Sequence, residues 1–230
     1  MLKSIQSIAV ISIVALILSA CNPTTEELVK QGDEYIKNRN YEDAIMCYQK
    51  AAERGSGDAQ NSLAVIYFTD IPVARDYNAA AKWAAMALEN KDYFESLLVL
   101  GSCYYEGQGV PQDYTKAADL LERLASMGAE GKKMASYMLF KMYLNGLGVP
   151  QSDDKAVEYY CISQDVRREK AVFEIGKMYY YGDGVSPHFL NEMKGSEMIT
   201  EAANNGCQEA VEWINAWYKK SWYLLNGLSN

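Results

Sequence analysis

The sequence predicts an all-α fold, a right-handed α-α superhelix (solenoid) of about five helical hairpins followed by a capping helix. Three observations carry this prediction. A glycine motif recurs at intervals of 36 to 39 residues, small residues and tyrosines recur in steps of four before it, and an alanine or glycine follows it. Repetition at such a period is typical of solenoids, whose units bury their apolar faces against their neighbours.

The glycine motif has the form G-x-G-V and occurs at 107–110, 146–149 and 182–185. A dinucleotide-binding loop needs a strand before its glycines and a third glycine at the start of the next helix. Here a tyrosine-bearing helical segment precedes each motif, and the motif repeats. We therefore expect the motif to turn the chain between two helices.

A small residue, an aliphatic residue and a tyrosine recur in steps of four, which places them on one face of each first helix. The copies are Ala59/Leu63/Tyr67, Ser96/Leu100/Tyr104, Ala135/Leu139/Tyr143, Ala171/Ile175/Tyr179 and Ala210/Ile214/Tyr218. The second helices carry a small residue instead, at Ala44, Ala80, Ala117, Ala156 and Gly195. We expect these residues to pack the hairpins. The last copy stands alone and predicts a capping helix over 210–225, with its tryptophans mainly in the core.

The amino terminus has the pattern of a signal peptide. Met1-Leu2-Lys3 is a short basic start, and the apolar run over 8–18 that comes after it is interrupted only by Ser12. This run is shorter than the about 20 apolar residues of a membrane-spanning helix, and it ends in small residues. We therefore expect residues 1–20 to be removed.

The tetrapeptide Leu18-Ser19-Ala20-Cys21 resembles a bacterial lipobox, which implies cleavage before Cys21 and acylation of that cysteine. An ordinary secretory signal that happens to contain a cysteine is the alternative. Several acyl chains on one cysteine hold a protein durably to a bilayer. By the sorting rule of enteric lipoproteins, Asn22-Pro23 implies the outer membrane, facing the periplasm. The predicted regions are then a signal peptide (1–20), a lipidated tether (21–25) and a repeat domain (26–230).

The pattern Y-x-x-G-x-G-V, followed after about seven residues by an alanine, resembles the Sel-1-like repeat, a relative of the tetratricopeptide repeat. The resemblance covers about 26–225. It implies an α-solenoid that serves as an adaptor or binding scaffold, and bacterial members are often exported and engage other proteins. Some cysteine-rich members have been described as penicillin-binding, but their regularly spaced cysteine pairs are absent from this sequence.

The charge balance narrows the choice of partner. The chain has 22 basic and 30 acidic side chains, and removal of the signal peptide takes away only Lys3. Such a surface repels nucleic acid and anionic lipid headgroups and attracts a basic protein surface. We expect a protein partner, no nucleic acid, and membrane contact through the lipid anchor only.

Beyond Cys21 there are four cysteines, and an exported chain meets an oxidising compartment. By repeat register, Cys47 and Cys103 are predicted to be small core residues and lie two repeats apart. Cys161 and Cys207 are predicted to be more exposed. A Cys161–Cys207 disulfide is left open.

No constellation of residues indicates catalysis. His188 is the only histidine and lies in a loop insertion beside Pro187, whereas a hydrolytic triad needs a positioned histidine base. No cluster has the spacing of a metal site. We therefore expect a protein without enzymatic activity, cofactor or metal.

A second stripe on the first helices, adjacent to the packing stripe, predicts a concave binding groove. In the central repeat it comprises Leu98, Ser102 and Tyr105, and aromatic residues are the usual anchors of protein interfaces. The alternative is that tight curvature of the solenoid buries the stripe. The predicted partner-binding residues are Phe68, Leu98, Ser102, Tyr105, Tyr137, Lys141, Phe173, Lys177 and Tyr180.

These features lead to one functional hypothesis and two alternatives. The first is a non-enzymatic, lipid-anchored periplasmic scaffold, specifically an immunity protein that neutralises a delivered effector. The second is an envelope-assembly or host-interaction adaptor. The third, from the enzyme class, is activity on β-lactams or the cell wall.

Overall fold

The computed structural model describes residues 22–69, 75–89 and 91–225 of the chain. Within these ranges all regular structure is helical, and the predicted all-α fold of helical hairpins is confirmed. The helices are α1 (Thr25–Lys37), α2 (Tyr41–Glu53), α3 (Gly57–Phe68), α4 (Tyr77–Ala87), α5 (Phe94–Glu106), α6 (Tyr114–Ser126), α7 (Ala129–Asn145), α8 (Asp153–Gln164), α9 (Arg168–Tyr181), α10 (Glu192–Asn204) and α11 (Gln208–Leu225), with a 3-10 turn at Pro187–Phe189.

The described residues form two compact units. The first contains those up to Leu100 together with Gln108–Val110, and the second contains Gly101–Gly107 and those from Pro111 onward. In the first unit α1 packs against α2, α2 against α3, and α3 against α4. In the second unit each helix from α6 to α11 packs against the next along the chain.

Polar side chains define where the helices begin. Thr24 caps α1 in a reciprocal capping box with Glu27. The side-chain oxygen of each cap accepts a hydrogen bond from a backbone N–H that has no partner within the helix. The other helices capped in this way begin after Asn40, Ser56, Asp76, Asp113, Ser152 and Asn191.

The same backbone hydrogen bond closes the turn of five hairpins. In each, the N–H of the residue that caps the second helix donates to the carbonyl oxygen of the repeated tyrosine on the first helix. The pairs are Asn40 to Tyr35 at 2.9 Å, Asp76 to Tyr67, Asp113 to Tyr104 and Ser152 to Tyr143 at 3.0 Å, and Asn191 to Tyr179 at 3.2 Å. The repeated tyrosine therefore marks the end of the first helix and fixes the start of the second.

The second glycine of the motif approaches the backbone of the preceding second helix. Gly109 has φ +74°, and a Cβ there would lie 2.1 Å from the carbonyl oxygen of Tyr77. Gly148 has φ +69°, and its Cβ would lie 2.2 Å from the carbonyl carbon of Tyr114. The motif thus needs glycine for its left-handed conformation and for this close approach. Its predicted role as a turn is confirmed.

The packing stripe predicted from steps of four is buried except for the exposed Tyr218 and the partly buried Ile214, Tyr67 and Tyr104. Its small residues Ala59, Ser96, Ala135, Ala171 and Ala210 are fully enclosed, and so are the facing alanines Ala44, Ala80, Ala117 and Ala156. Ser96 donates its hydroxyl to the side-chain oxygen of Asn61 at 2.6 Å, which satisfies a buried polar group. These positions hold the hairpins together.

Two other predictions have different outcomes. The capping helix is present as α11, but the prediction that its tryptophans lie mainly in the core is wrong: Trp217 and Trp222 are exposed. The signal peptide and the lipidated Cys21 lie outside the described residues. In the part of the chain that the structure covers, no helix is both long and apolar enough to span a bilayer.

Candidate functional site

The described residues contain no cluster suited to a metal ion. Across residues 22–69, 75–89 and 91–225, no group of three or more histidine, cysteine or acidic side chains could hold a metal ion. His188 is exposed on the 3-10 turn, with its ring edge against Phe189 at a centroid distance of 5.2 Å.

The four cysteines of the repeat domain are all free thiols in this structure, Cys161 and Cys207 included. Cys103 is fully buried as predicted, and its burial raises the pKa of the thiol to about 11. Cys47 is only partly buried. The predicted exposure of Cys207 is wrong, because this residue lies enclosed in the short connection between α10 and α11.

In the first unit, the structure places two of the predicted groove residues at partly buried positions. The Phe68 ring packs edge-on against Tyr77 at a centroid distance of 5.7 Å, so part of its apolar area is already covered. Leu98 on α5 is also half-buried. Neither residue projects freely from its helix.

In the second unit, Ser102 and Tyr105 lie on the last turns of α5. The Ser102 hydroxyl donates to the Met138 sulfur on α7 at 3.8 Å. The Tyr105 ring packs edge-on against Tyr114 at 5.5 Å, and burial, followed by the nearby Glu106, Tyr114 and Tyr137, raises its pKa to about 12. Tyr105 therefore stays neutral and offers an uncharged hydroxyl at physiological pH.

Tyr137 and Lys141 form the accessible part of the predicted stripe. They lie one turn apart on α7, and the Lys141 Nζ is 4.6 Å from the centroid of the Tyr137 ring. Half of the Tyr137 side chain is exposed, at 50%. A cation over the ring face holds the aromatic side chain in place at the surface. This pair can therefore meet a partner without rearrangement.

Phe173 on α9 is not accessible. It is 4% exposed and lies beneath two lysines, with the Nζ of Lys170 and Lys177 at 5.2 and 4.7 Å from its ring centroid. Glu174 holds both ammonium groups, at 3.2 and 2.8 Å. The second stripe predicted that Phe173 contacts a partner directly, but in this structure its ring is covered. At this position the alternative, in which the stripe is buried, applies. Lys177 is the surface residue at this position.

Tyr180 belongs to an aromatic cluster between α9 and α11. Its hydroxyl accepts a hydrogen bond from the Trp217 indole nitrogen at 3.0 Å, and its ring lies edge-on to Trp213 at 5.2 Å. The Trp213 indole donates in turn to the Tyr181 hydroxyl at 3.1 Å. These hydrogen bonds fix the orientation of rings that remain open to solvent.

The cluster borders an open cavity of about 470 Å³ between α10 and α11. Its apolar lining includes Met193, Ile214, Trp217 and Tyr218. Sequence reasoning missed this surface because the counterparts of Ile214 are buried in all four earlier copies of the stripe, and those of Tyr218 are buried or partly buried. One feature of the sequence points to this surface. The stripe of α11 is not followed, within the described residues, by a second helix that could cover it.

Comparisons with known proteins identify the repeat. A model of the Sel1 repeat matches the chain in five segments, 30–56, 57–92, 95–128, 133–163 and 170–207. The chain is 31% identical over 185 residues to the Sel1-repeat-containing protein YjcO of Escherichia coli K12, over 80% of this chain and 73% of that relative. A YjcO protein of Shigella flexneri matches to the same extent.

Two solved structures resemble the fold. One is c5321, a protective antigen present in uropathogenic Escherichia coli strains that displays an SLR fold, with a TM-score of 0.53 and 27% identity. That match covers 81% of this chain but spans only 39% of the antigen chain. The other is a Sel1 repeat protein from Oxalobacter formigenes, with a TM-score of 0.52, 21% identity and coverage of 87% and 76% of the two chains.

Proposed function

The chain belongs to the Sel1 repeat family, and we propose on that basis that it is a non-enzymatic scaffold that binds another protein at the bacterial cell envelope. The observation that carries the proposal is the exposed Tyr137, with the partly buried Lys141 over its ring and Tyr105 nearby in the second unit. Aromatic residues held rigidly at a surface lose little side-chain entropy on binding, and they dominate the energy of many protein interfaces.

The proposed contact surface is defined by Tyr105, Tyr137, Lys141 and Lys177. Two of these residues bring an aromatic ring. Lys141 brings an ammonium group, and Lys177 brings one that is paired with Glu174. Such a surface suits a partner with an apolar patch rimmed by acceptors, while the net acidic remainder of the chain favours an otherwise basic partner. Phe173 supports this surface from beneath.

Replacement of Tyr137 by alanine is expected to weaken partner binding about tenfold or more, because a rigid aromatic anchor is lost. The free energy of unfolding should change by less than about 0.5 kcal/mol, since half of the side chain is exposed. Calorimetric titration with the co-purified partner and urea unfolding measure the two quantities.

Met127, which is exposed to a similar degree, provides the matched control. Met127→Ala should leave both binding and stability unchanged. A Tyr137→Ala variant that binds as tightly as the unaltered protein would remove this surface from the proposal. A large loss of stability would instead show that Tyr137 is a packing residue.

The proposed location depends on lipidation at Cys21, which the lipobox-like Leu18-Ser19-Ala20-Cys21 supports. Mass spectrometry of the mature protein should find an acylated Cys21 as the first residue, and Cys21→Ser should leave the signal peptide attached.

Density-gradient separation of membranes should place the protein in the outer membrane. The matched variant Asn22→Asp should move it to the inner membrane. An unmodified mature chain in the periplasmic fraction would contradict the anchor.

The specific form of the proposal is an immunity protein that neutralises an effector delivered into the periplasm. The combination of an exported anchor, an acidic repeat scaffold and an exposed aromatic surface supports it. Cells that lack the gene should become sensitive to neighbours that deliver the effector, and Tyr137→Ala should fail to restore protection. Cells that remain indifferent to all such neighbours would contradict this role.

The second candidate is an adaptor for envelope assembly or host contact. It is favoured by one observation, the similarity to c5321, which is described as a protective antigen. Protease treatment of intact cells separates the two candidates, because an outward-facing adaptor is cleaved and an inward-facing immunity protein is protected.

Labelling with a fluorescent penicillin tests the enzyme alternative, and no labelling is expected.

A further inference from the structure

Three hairpins of the second unit place a lysine over the repeated tyrosine. The ammonium nitrogen belongs to the second helix and the ring to the first, so the pair bridges the hairpin. The distances from Nζ to ring centroid are 5.1 Å for Lys116 and Tyr104, 4.4 Å for Lys155 and Tyr143, and 4.0 Å for Lys194 and Tyr179. Cation–π attraction therefore helps to seat each second helix on its first helix.

Each of these lysines is the third residue of its helix and comes after a polar cap. The backbone N–H of Lys116, Lys155 and Lys194 donates to the side chain of Asp113, Ser152 and Asn191, respectively. The cap fixes the backbone of the first turn, and the lysine side chain then reaches back over the tyrosine. A polar cap with a lysine three residues later is thus the mark of a second helix in this unit.

Helix α11 carries the first-helix register without a second helix on it. Ala210, Ile214 and Tyr218 occupy the positions of Ala171, Ile175 and Tyr179 on α9. Ala210 is buried against the earlier helices, but the Tyr218 side chain is 64% exposed, whereas Tyr179 is buried. Within the described residues no helix comes after α11, so the face that receives a second helix elsewhere is open.

The surroundings of this face carry both signs of charge, with Lys219 and Lys220 exposed directly after Tyr218 and the carboxylates mainly on the α10 side. Glu192, Glu197 and Glu201 are exposed on α10, and Glu212 is exposed on α11. Lys194 on α10 is held by Asp153 at 2.6 Å, which takes its charge away from the face. The cavity of about 470 Å³ between α10 and α11 supplies apolar area beside these carboxylates. A lysine-bearing amphipathic helix is complementary in charge to the α10 side of this face and can cover its apolar area.

We propose that the open face of α11, defined by Ile214, Tyr218 and the adjoining cavity beside α10, binds an amphipathic helix of a partner protein that carries a polar cap and a lysine in its first turn. The bound helix takes the place of the second helix of a sixth hairpin, with its lysine over Tyr218. The inference rests on the proposed scaffold function, and it adds a second surface and a chemical class of ligand.

The probe is a synthetic peptide with the sequence of residues 111–128 of this chain, which contains the cap Asp113 and Lys116 of α6. Fluorescence anisotropy of the labelled peptide should show saturable binding to the full chain. Tyr218→Ala in the protein or K116Q in the peptide should each weaken binding about threefold to tenfold. Together they should weaken it no more than either change alone, because both remove the same contact.

The Tyr137→Ala variant is the matched control and should bind the peptide normally. A peptide that does not bind, or that binds Tyr218→Ala as well as the unaltered chain, overturns the proposal. Dimers in sedimentation experiments that Tyr218→Ala abolishes would assign the face to a second copy instead. Binding to anionic vesicles that depends on Tyr218 would assign it to a membrane, and both results also overturn the proposal.

If the free peptide binds too weakly for anisotropy, it can be fused to the carboxyl terminus of the protein through a flexible linker. A tethered ligand has an effective concentration in the millimolar range, so even a weak complex forms. The fused helix should raise the melting temperature by a few degrees, and the K116Q fusion should give a smaller rise. No rise in either fusion contradicts the proposal. Normal partner binding through Tyr137 in the same proteins would leave the scaffold function intact.

Discussion

Replacement of Gly148 by alanine is expected to lower the free energy of unfolding by about 4 kcal/mol. Gly148 has φ +69°, a left-handed conformation that costs an alanine about 1–2 kcal/mol. The new Cβ would also lie 2.2 Å from the Tyr114 carbonyl carbon and 2.5 Å from the Thr115 nitrogen, so backbone must move, at a cost of about 1–3 kcal/mol. Urea unfolding followed by circular dichroism measures the loss.

Gly184 is the matched control for this experiment. It is the second glycine of the next motif and has nearly the same backbone angle, φ +76°, but a Cβ there meets nothing within 4 Å. Gly184→Ala should therefore cost only the conformational part, about 1–2 kcal/mol. Equal losses for the two variants would show that the close approach at Gly148 contributes nothing.

Gly195→Ala is expected to destabilise the protein by about 2 kcal/mol, although helix propensity alone predicts the opposite sign. Alanine is favoured over glycine within a helix by about 1 kcal/mol, and the other second helices have alanine at this position. On α10, however, a Cβ at Gly195 would lie 2.6 Å from the Tyr180 nitrogen and 2.7 Å from the Gly176 oxygen. Because both atoms are backbone of α9, the helices must separate, which costs more than the propensity gains.

Gly101→Ala on α5 is the control for this second substitution. The nearest neighbours of its Cβ would be side-chain atoms, of Leu121 at 3.2 Å and of Leu120 at 3.6 Å, and Leu121 can adjust by a small rotation. The propensity gain should then offset the crowding, and the free energy of unfolding should stay within about 0.5 kcal/mol. If Gly195→Ala proves as stable as the unaltered protein, the close crossing of α9 and α10 is not a constraint.

The comparison of Gly195 with its counterparts shows what the sequence could predict and what it could not. Steps of four and the recurring glycine motif were sufficient to predict the helices, their pairing and the buried small residues such as Ala135 and Ala171. From its position in the repeat, Gly195 is predicted to be equivalent to the alanines of the other second helices. Only the distance between α9 and α10 shows that this position has no room for a methyl group.

The sequence predicted which positions of the repeats form the candidate surface, but it did not predict which of these side chains are exposed. Tyr137 and Phe173 occupy the same position in successive repeats, yet one is half exposed and the other is buried. A lysine lies over both rings, Lys141 over Tyr137 and Lys177 over Phe173. Only the Phe173 ring has a second lysine over it, Lys170, and Glu174 holds both of its ammonium groups in place. Such cover depends on side-chain pairs that periodicity does not report. The exposure of Tyr218 has a similar origin, because it depends on whether another helix packs on α11.

The close approach of the motif glycines also bears on how such chains can be duplicated and recombined. Gly109 and Gly148 fit against the first residues of the second helix in the preceding hairpin, so each loop is matched to the helix before it. Gly184 lacks this fit, and there Asn145 holds the loop by bonds to Gly184 and Ser186. The segment that can be exchanged as a block is therefore not one hairpin but a segment of the same length that starts half a hairpin later. It begins with one second helix and ends with the glycine loop of the next unit, and a breakpoint between them would separate two surfaces that fit closely against each other.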